Sequence, residues 1–183
     1  PGKIVKTERD ADMEATIWTL SNGIKVILKN TNFKDDEILM TASALGGYSK
    51  FAEKDPVNCK VMNSVMNLGG VGKFSATDLP KVLAGKTASA SPSVSLTTQD
   101  INGSSSIKDF ETMMQLVYLY FTAPRRDEDA FKSFMQRTET QLKNQEAEPM
   151  VAFSDSVTKA IYGVNPLVGR LKLQDLSKID YNR

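Results

Sequence analysis

The spacing of apolar residues changes partway along the chain. Up to Leu45 they alternate with polar ones in short runs, the period of strands; over 55–70 and again from 108 onward they recur every three or four residues, the period of helices. Ala15–Leu20 and Ile24–Lys29 flank Ser21-Asn22-Gly23, and an Asn-Gly pair between two such runs predicts a tight β-hairpin. Alternation puts Ile24, Val26 and Leu28 on one face and Lys25, Ile27 and Lys29 on the other. Trp18 reads as a core or sheet-face anchor. After a polar connection, Glu37–Leu45 is a third strand, apolar enough to be central in a sheet, and it stops at Gly46-Gly47. Residues 1–14 have weak apolar content and read as a tail or linker, which leaves 15–183 as a single domain.

Asp55 to Gly70 has both helix ends marked. Asp55 caps, Pro56 fits the first turn where no N–H is needed, and Gly69-Gly70 supplies a left-handed stop. Val57, Val61, Val65 and Leu68 form its apolar stripe, widened by Met62 and Met66, and are expected to pack on the sheet near Ile24 and Leu39. Lys60, Asn63, Ser64 and Asn67 lie off that stripe. A short helix follows, capped by Thr77 and closed by Gly85. Thr87–Leu96 and Ile101–Ile107 read as a second hairpin, with Ser104-Ser105-Ser106 on a solvated face. Helices are predicted over 108–123, with Phe110, Met113, Met114, Val117, Tyr120 and Phe121 inward, and over 127–146, with Phe131, Phe134, Met135, Thr138 and Leu142 inward. A third covers 150–162, with Phe153, Val157, Ala160 and Ile161 on one side, and a fourth starts at Asp175. Arg125-Arg126 between the first two reads as a solvated loop. The element order is that of an α+β fold, an antiparallel sheet with helices packed on one face.

Composition narrows the chemistry. Lysine plus arginine number 23 against 22 acidic residues, so no basic excess points to nucleic acid. No apolar run is long enough to span a bilayer, and the segment carries no targeting signal. Histidine is absent, which removes Ser-His-Asp triads, Cys-His pairs and every His-ligated metal site built from this chain alone. Cys59 is the one cysteine and sits on a helix, where a small buried hydrophobe is the expected role. Gly72-Lys73 is followed by Phe74, so the phosphate-loop spacing is not met.

Several short motifs, in this order, resemble the insulinase/pitrilysin family of zinc peptidases. They are Leu20-Ser-Asn-Gly-Ile-Lys-Val26, Gly46-Gly47 before a helix, Leu83-Ala-Gly-Lys86 before a hairpin, Thr122-Ala-Pro124, and Ala160-Ile-Tyr-Gly-Val-Asn-Pro-Leu-Val-Gly-Arg170. The resemblance covers 15–183 and implies a metallohydrolase-like domain of the pitrilysin or mitochondrial processing peptidase type. Residues 175–183 then resemble the helix before a last apolar strand, so the domain is expected to lack that strand and to leave a sheet edge unpaired. Active members carry His-x-x-Glu-His on the first helix, two zinc ligands around a general base. The corresponding residues here are Lys60-Val-Met-Asn63-Ser64. The family's third ligand falls within Arg137–Gln141, where Glu139 is the acidic residue.

No catalytic, cofactor-binding or metal residue therefore carries over. The resemblance implies a non-catalytic domain of a zinc metalloendopeptidase that forms part of a peptide-binding chamber, with zinc held by another domain of the parent. Its expected partners are those other domains and the parent's peptide substrate. The alternative is a proteolytically inactive scaffold or assembly protein of the same fold. Compartment stays open, a periplasmic or cell-envelope parent included.

Overall fold

The computed structural model describes residues 2–165 and 167–182, so Pro166 of the 160–170 motif and Arg183 lie outside the described residues. The chain forms two compact units that divide between Glu37 and Ile38.

The first unit is an antiparallel meander of β1 (Ile4–Asp10), β2 (Ala15–Leu20) and β3 (Lys25–Leu28), in that order. The hairpin predicted at Asn22-Gly23 joins β2 to β3. Gly23 takes a left-handed φ of +86°, Leu20 N–H donates to Ile24 O at 2.8 Å, and Trp18 pairs with Val26. β1 corrects the expected tail. Its Lys-Thr-Glu-Arg-Asp run hides the strand period, because β1 is an exposed strand held by backbone pairing to β2 rather than by an apolar face. Lys6 and Glu8, two apart and so on one face, pair at 2.7 Å.

The second unit is built on a three-stranded antiparallel sheet of β4 (Ile38–Leu45), β5 (Ala88–Val94) and β6 (Thr98–Ser105), ordered β4-β6-β5. β4 is thus an edge strand and not the central one its apolarity suggested. β6 shows the alternation of a sheet with one dry face. Ile101, Gly103 and Ser105 are buried, while Asn102 and Asp100 point the other way and accept from Thr41 Oγ1 at 3.0 Å and Ser43 Oγ at 2.5 Å.

Among the described residues, five α-helices follow the sheet or interrupt it: α1 (Pro56–Val65), α2 (Leu79–Val82), α3 (Phe110–Thr122), α4 (Glu128–Glu146) and α5 (Pro149–Tyr162). α3 crosses the dry face of β5 and β6. It comes close because position 103 is glycine: a Cβ there would stand 2.8 Å from Met113 Sδ, and Met113 is fully buried. Only Met113 and Leu116 of α3 are fully buried; Phe110, Met114 and Phe121, expected inward, stay exposed. α5 packs on α4, and its predicted inner face is uncovered, with Phe153 63% and Ile161 66% exposed.

Smaller features also differ. α2 is a single turn preceded by Asp78, and the turn before it is tied by Asp78 N–H to Ser75 Oγ at 3.1 Å, so Ser75 does the work expected of Thr77. The serine run is not solvated: Ser105 and Ser106 are 1% and 3% exposed. Ser106 Oγ and Thr87 N–H, each at 2.9 Å, donate to the Asp109 carboxylate before α3. A 3-10 segment, Leu173–Lys178, takes the place of the predicted fourth helix.

Candidate functional site

α1 starts where the sequence marks it. Asp55 Oδ1 accepts from Asn58 N–H at 3.4 Å, and Pro56 occupies the first turn. Val57, Cys59 and Val61 are buried, and Val65 and Leu68 are half-buried. Within its own unit the helix packs against β5 and the 173–178 segment. Beyond it the chain reaches Gly69-Gly70. A Cβ on Gly69 would overlap the Arg125 carbonyl, and Gly70 has φ +83° with the Phe74 carbonyl against it, so both positions require glycine.

Lys60, Asn63 and Ser64 all lie on the exposed side of α1. Asn63 is fully engaged: its Nδ2 donates to Val94 O at 2.9 Å and its Oδ1 accepts from Val94 N–H at 2.8 Å. Lys60 borders a cleft of about 550 Å³ shared with Lys159, Asp155, Arg170 and Lys172. Glu139, on α4, pairs with Lys143 one turn along at 2.7 Å. The donor set does not fit zinc. A lysine ammonium has no lone pair to give, the Asn63 amide is spent on the Val94 backbone, and Ser64 offers a neutral hydroxyl. Among the described residues no group of three or more His, Cys, Asp or Glu could hold a metal ion. The Cys59 thiol is pushed up, chiefly by burial and then by Asp55, which is the reverse of an activated nucleophile.

Other residues that shape the site carry no sequence signal of their own. Arg125 is a brace and not a solvated loop residue: its Nη1 donates to Gly69 O at 2.9 Å and to Asp127 Oδ2 at 2.8 Å. Asp127 in turn caps α4 by accepting from Ala130 N–H at 2.9 Å. Tyr181 stacks on Phe131 with 4.4 Å between centroids, and Arg126 lies 4.7 Å over its ring. Together with α1, these two aromatics border an apolar cleft of about 520 Å³. Asn58 Oδ1 accepts from Asp180 N–H at 2.9 Å and so ties the C-terminal segment to α1. Arg170 of the Tyr-Gly motif reaches back to Asp155 on α5 through Nε and Nη2, both at 3.1 Å. Burial alone would raise the Asp155 carboxyl; Arg170 and Lys172 outweigh it and hold the group below the usual range.

Comparison with known proteins supports the resemblance. The chain is 29% identical, over 98% of its length, to the Arabidopsis thaliana zinc protease PQQL-like protein. Among solved structures it superposes on the periplasmic protease PqqL from Escherichia coli with a TM-score of 0.80 and 20% identity over 99% of this chain. The chain is similar to peptidases of the insulinase/pitrilysin type. It also shares the fold of a peptidase M16 inactive domain from Pseudomonas fluorescens, at a TM-score of 0.63 and 16% identity over 90% of the chain. It spans 16% of the Arabidopsis protein, 20% of PqqL and 42% of the Pseudomonas domain. No family model matches it. The expected α+β fold, antiparallel strands with helices, is that of these M16 peptidase-like neighbours.

Proposed function

We propose that this chain serves as a non-catalytic domain of a zinc metalloendopeptidase. It walls the chamber that holds the peptide while another domain carries the metal. Amide hydrolysis at neutral pH needs an activated nucleophile and a stabiliser for the oxyanion, and the family takes both from zinc. The observation that carries the reading is the state of α1. At the three positions that resemble the zinc ligands and base stand Lys60, Asn63 and Ser64, and Asn63 is committed to the Val94 backbone. Support for a peptidase parent comes from the Arabidopsis relative, named a zinc protease.

The test is a fluorogenic peptide assay on this chain beside its full-length parent, each with and without a zinc chelator. The expected result is an inert chain and a parent whose cleavage the chelator abolishes. Chelator-resistant cleavage by the chain itself sinks the proposal. An inert, zinc-free parent returns the scaffold reading.

A further inference from the structure

The two edges of the β4-β6-β5 sheet are not equivalent. Ser95 N–H donates to Thr98 O at 2.8 Å, so Ser95 faces β6, and in an antiparallel ladder alternate residues share that orientation. Ser93, Ser91 and Ser89 therefore turn their backbone groups toward β6. Val94, Pro92, Ala90 and Ala88 turn theirs outward, where an added strand would pair. Pro92 has no N–H to offer. At Val94 both groups are taken, because the Asn63 side-chain amide donates to one and accepts from the other, as the backbone of a neighbouring strand would. Outward pairing is thus interrupted at two successive positions.

We infer that Asn63 closes the outer edge of β5 to extended polypeptide, acting as a one-residue substitute for a neighbouring strand. This rests on the proposed chamber role and specifies it: a peptide passing this domain meets a closed wall at β5 and does not add to its sheet there. The closure is reversible in principle, because an incoming strand and the Asn63 amide compete for the same N–H and C=O. An edge left bare would be a template for pairing with other chains, and a side-chain amide from the adjacent helix is a compact way to occupy it. The same position therefore removes a base from α1 and adds a guard to β5.

The test uses the 183-residue chain and a fluorescein-labelled probe of about ten residues, alternating valine and threonine with a lysine at each end, the length that strand addition uses. Binding is read by anisotropy, and its location by hydrogen exchange of the Ala88, Ala90 and Val94 amides. The wild-type chain is expected to give no probe-dependent protection at these amides. Asn63→Ala is expected to bind the probe at least about tenfold more tightly, with new protection at Ala90 and Val94. Asn63→Asp keeps the acceptor for Val94 N–H and loses the donor to Val94 O, so an intermediate gain is expected; it carries the test if Asn63→Ala does not fold. Probe-dependent protection of β5 in the wild type overturns the inference. So does a folded variant that gains nothing, including one whose binding is confined to β4 and equal to wild type. These outcomes are independent of whether the parent is a peptidase, so a failure here does not touch the chamber proposal, and the peptidase assay does not decide the guard.

Discussion

Asn63 and Val94 are joined by a two-bond clasp, Nδ2 to the carbonyl at 2.9 Å and the amide N–H to Oδ1 at 2.8 Å, and it fastens the exposed side of α1 to the end of β5. Each bond contributes roughly 0.5–1.5 kcal/mol net, so Asn63→Ala is expected to cost about 1–3 kcal/mol in denaturant unfolding. Asn63→Glu should cost as much, because a carboxylate cannot donate to Val94 O. An unchanged unfolding midpoint in both variants would show that the clasp is idle.

Val61 is 5% exposed on the buried face of α1. Val61→Ala removes two methyl groups from a packed site, and a loss of about 1–3 kcal/mol is expected in thermal or urea unfolding. Lys60→Ala, one residue earlier on the exposed side, should stay within about 0.5 kcal/mol of wild type. The contrast between the two variants checks the orientation of the helix independently of the clasp.

Ser105 is 1% exposed, and its Oγ has no hydrogen-bond partner among the described residues. Desolvating a hydroxyl without a bond is unfavourable, so Ser105→Ala is expected to stabilise by about 1 kcal/mol and to raise Tm by roughly 2–4 °C. A lower Tm would reveal a bond that Ser105 makes in solution.

Asp109 is in the opposite condition. Thr87 N–H first, and then the Ser106 hydroxyl, hold its carboxyl below the usual carboxylate range. Asp127 is lowered in the same way, by Ala130 N–H and then Arg125. A carboxylate with a depressed folded-state pKa stabilises the fold fully above its unfolded value of about 4, and that contribution is lost as pH falls through the lower folded value. Tm should therefore decline below about pH 4, and Asp109→Asn should flatten that decline relative to its own value at pH 7. A profile of the same steepness in the variant would remove Asp109 from the acid response.

Zinc gives a further check on the donor set. Adding stoichiometric zinc to the metal-free chain is expected to leave Tm unchanged, since a ligand that binds the folded state raises it by mass action. A saturable rise would locate donors that Lys60, Asn63 and Ser64 do not supply.

The caps and the period were local, and the sequence displays them directly. Asp55-Pro56 opens α1, Asn22-Gly23 turns the first hairpin, and Val57 and Val61 mark a buried stripe, because capping, turn geometry and amphipathic spacing are settled within a few residues. That the chain brings no histidine ligand of its own is equally plain, since no fold can supply a residue the chain lacks. What the tertiary structure alone decided are the long-range partners. β1 is a strand because β2 pairs with it, despite a charged sequence. β4 is an edge despite an apolar one, because only β6 reaches it among the described strands. Ser106 is buried because Asp109 comes back to meet it, and Arg125 is a brace because Gly69 has no side chain in its way. Asn63 shows the division most clearly. Its identity already excluded a base, but its partner lies 31 residues away across the helix–sheet contact, and hydrogen bonds between groups so distant in sequence exist only once packing has brought their backbones together.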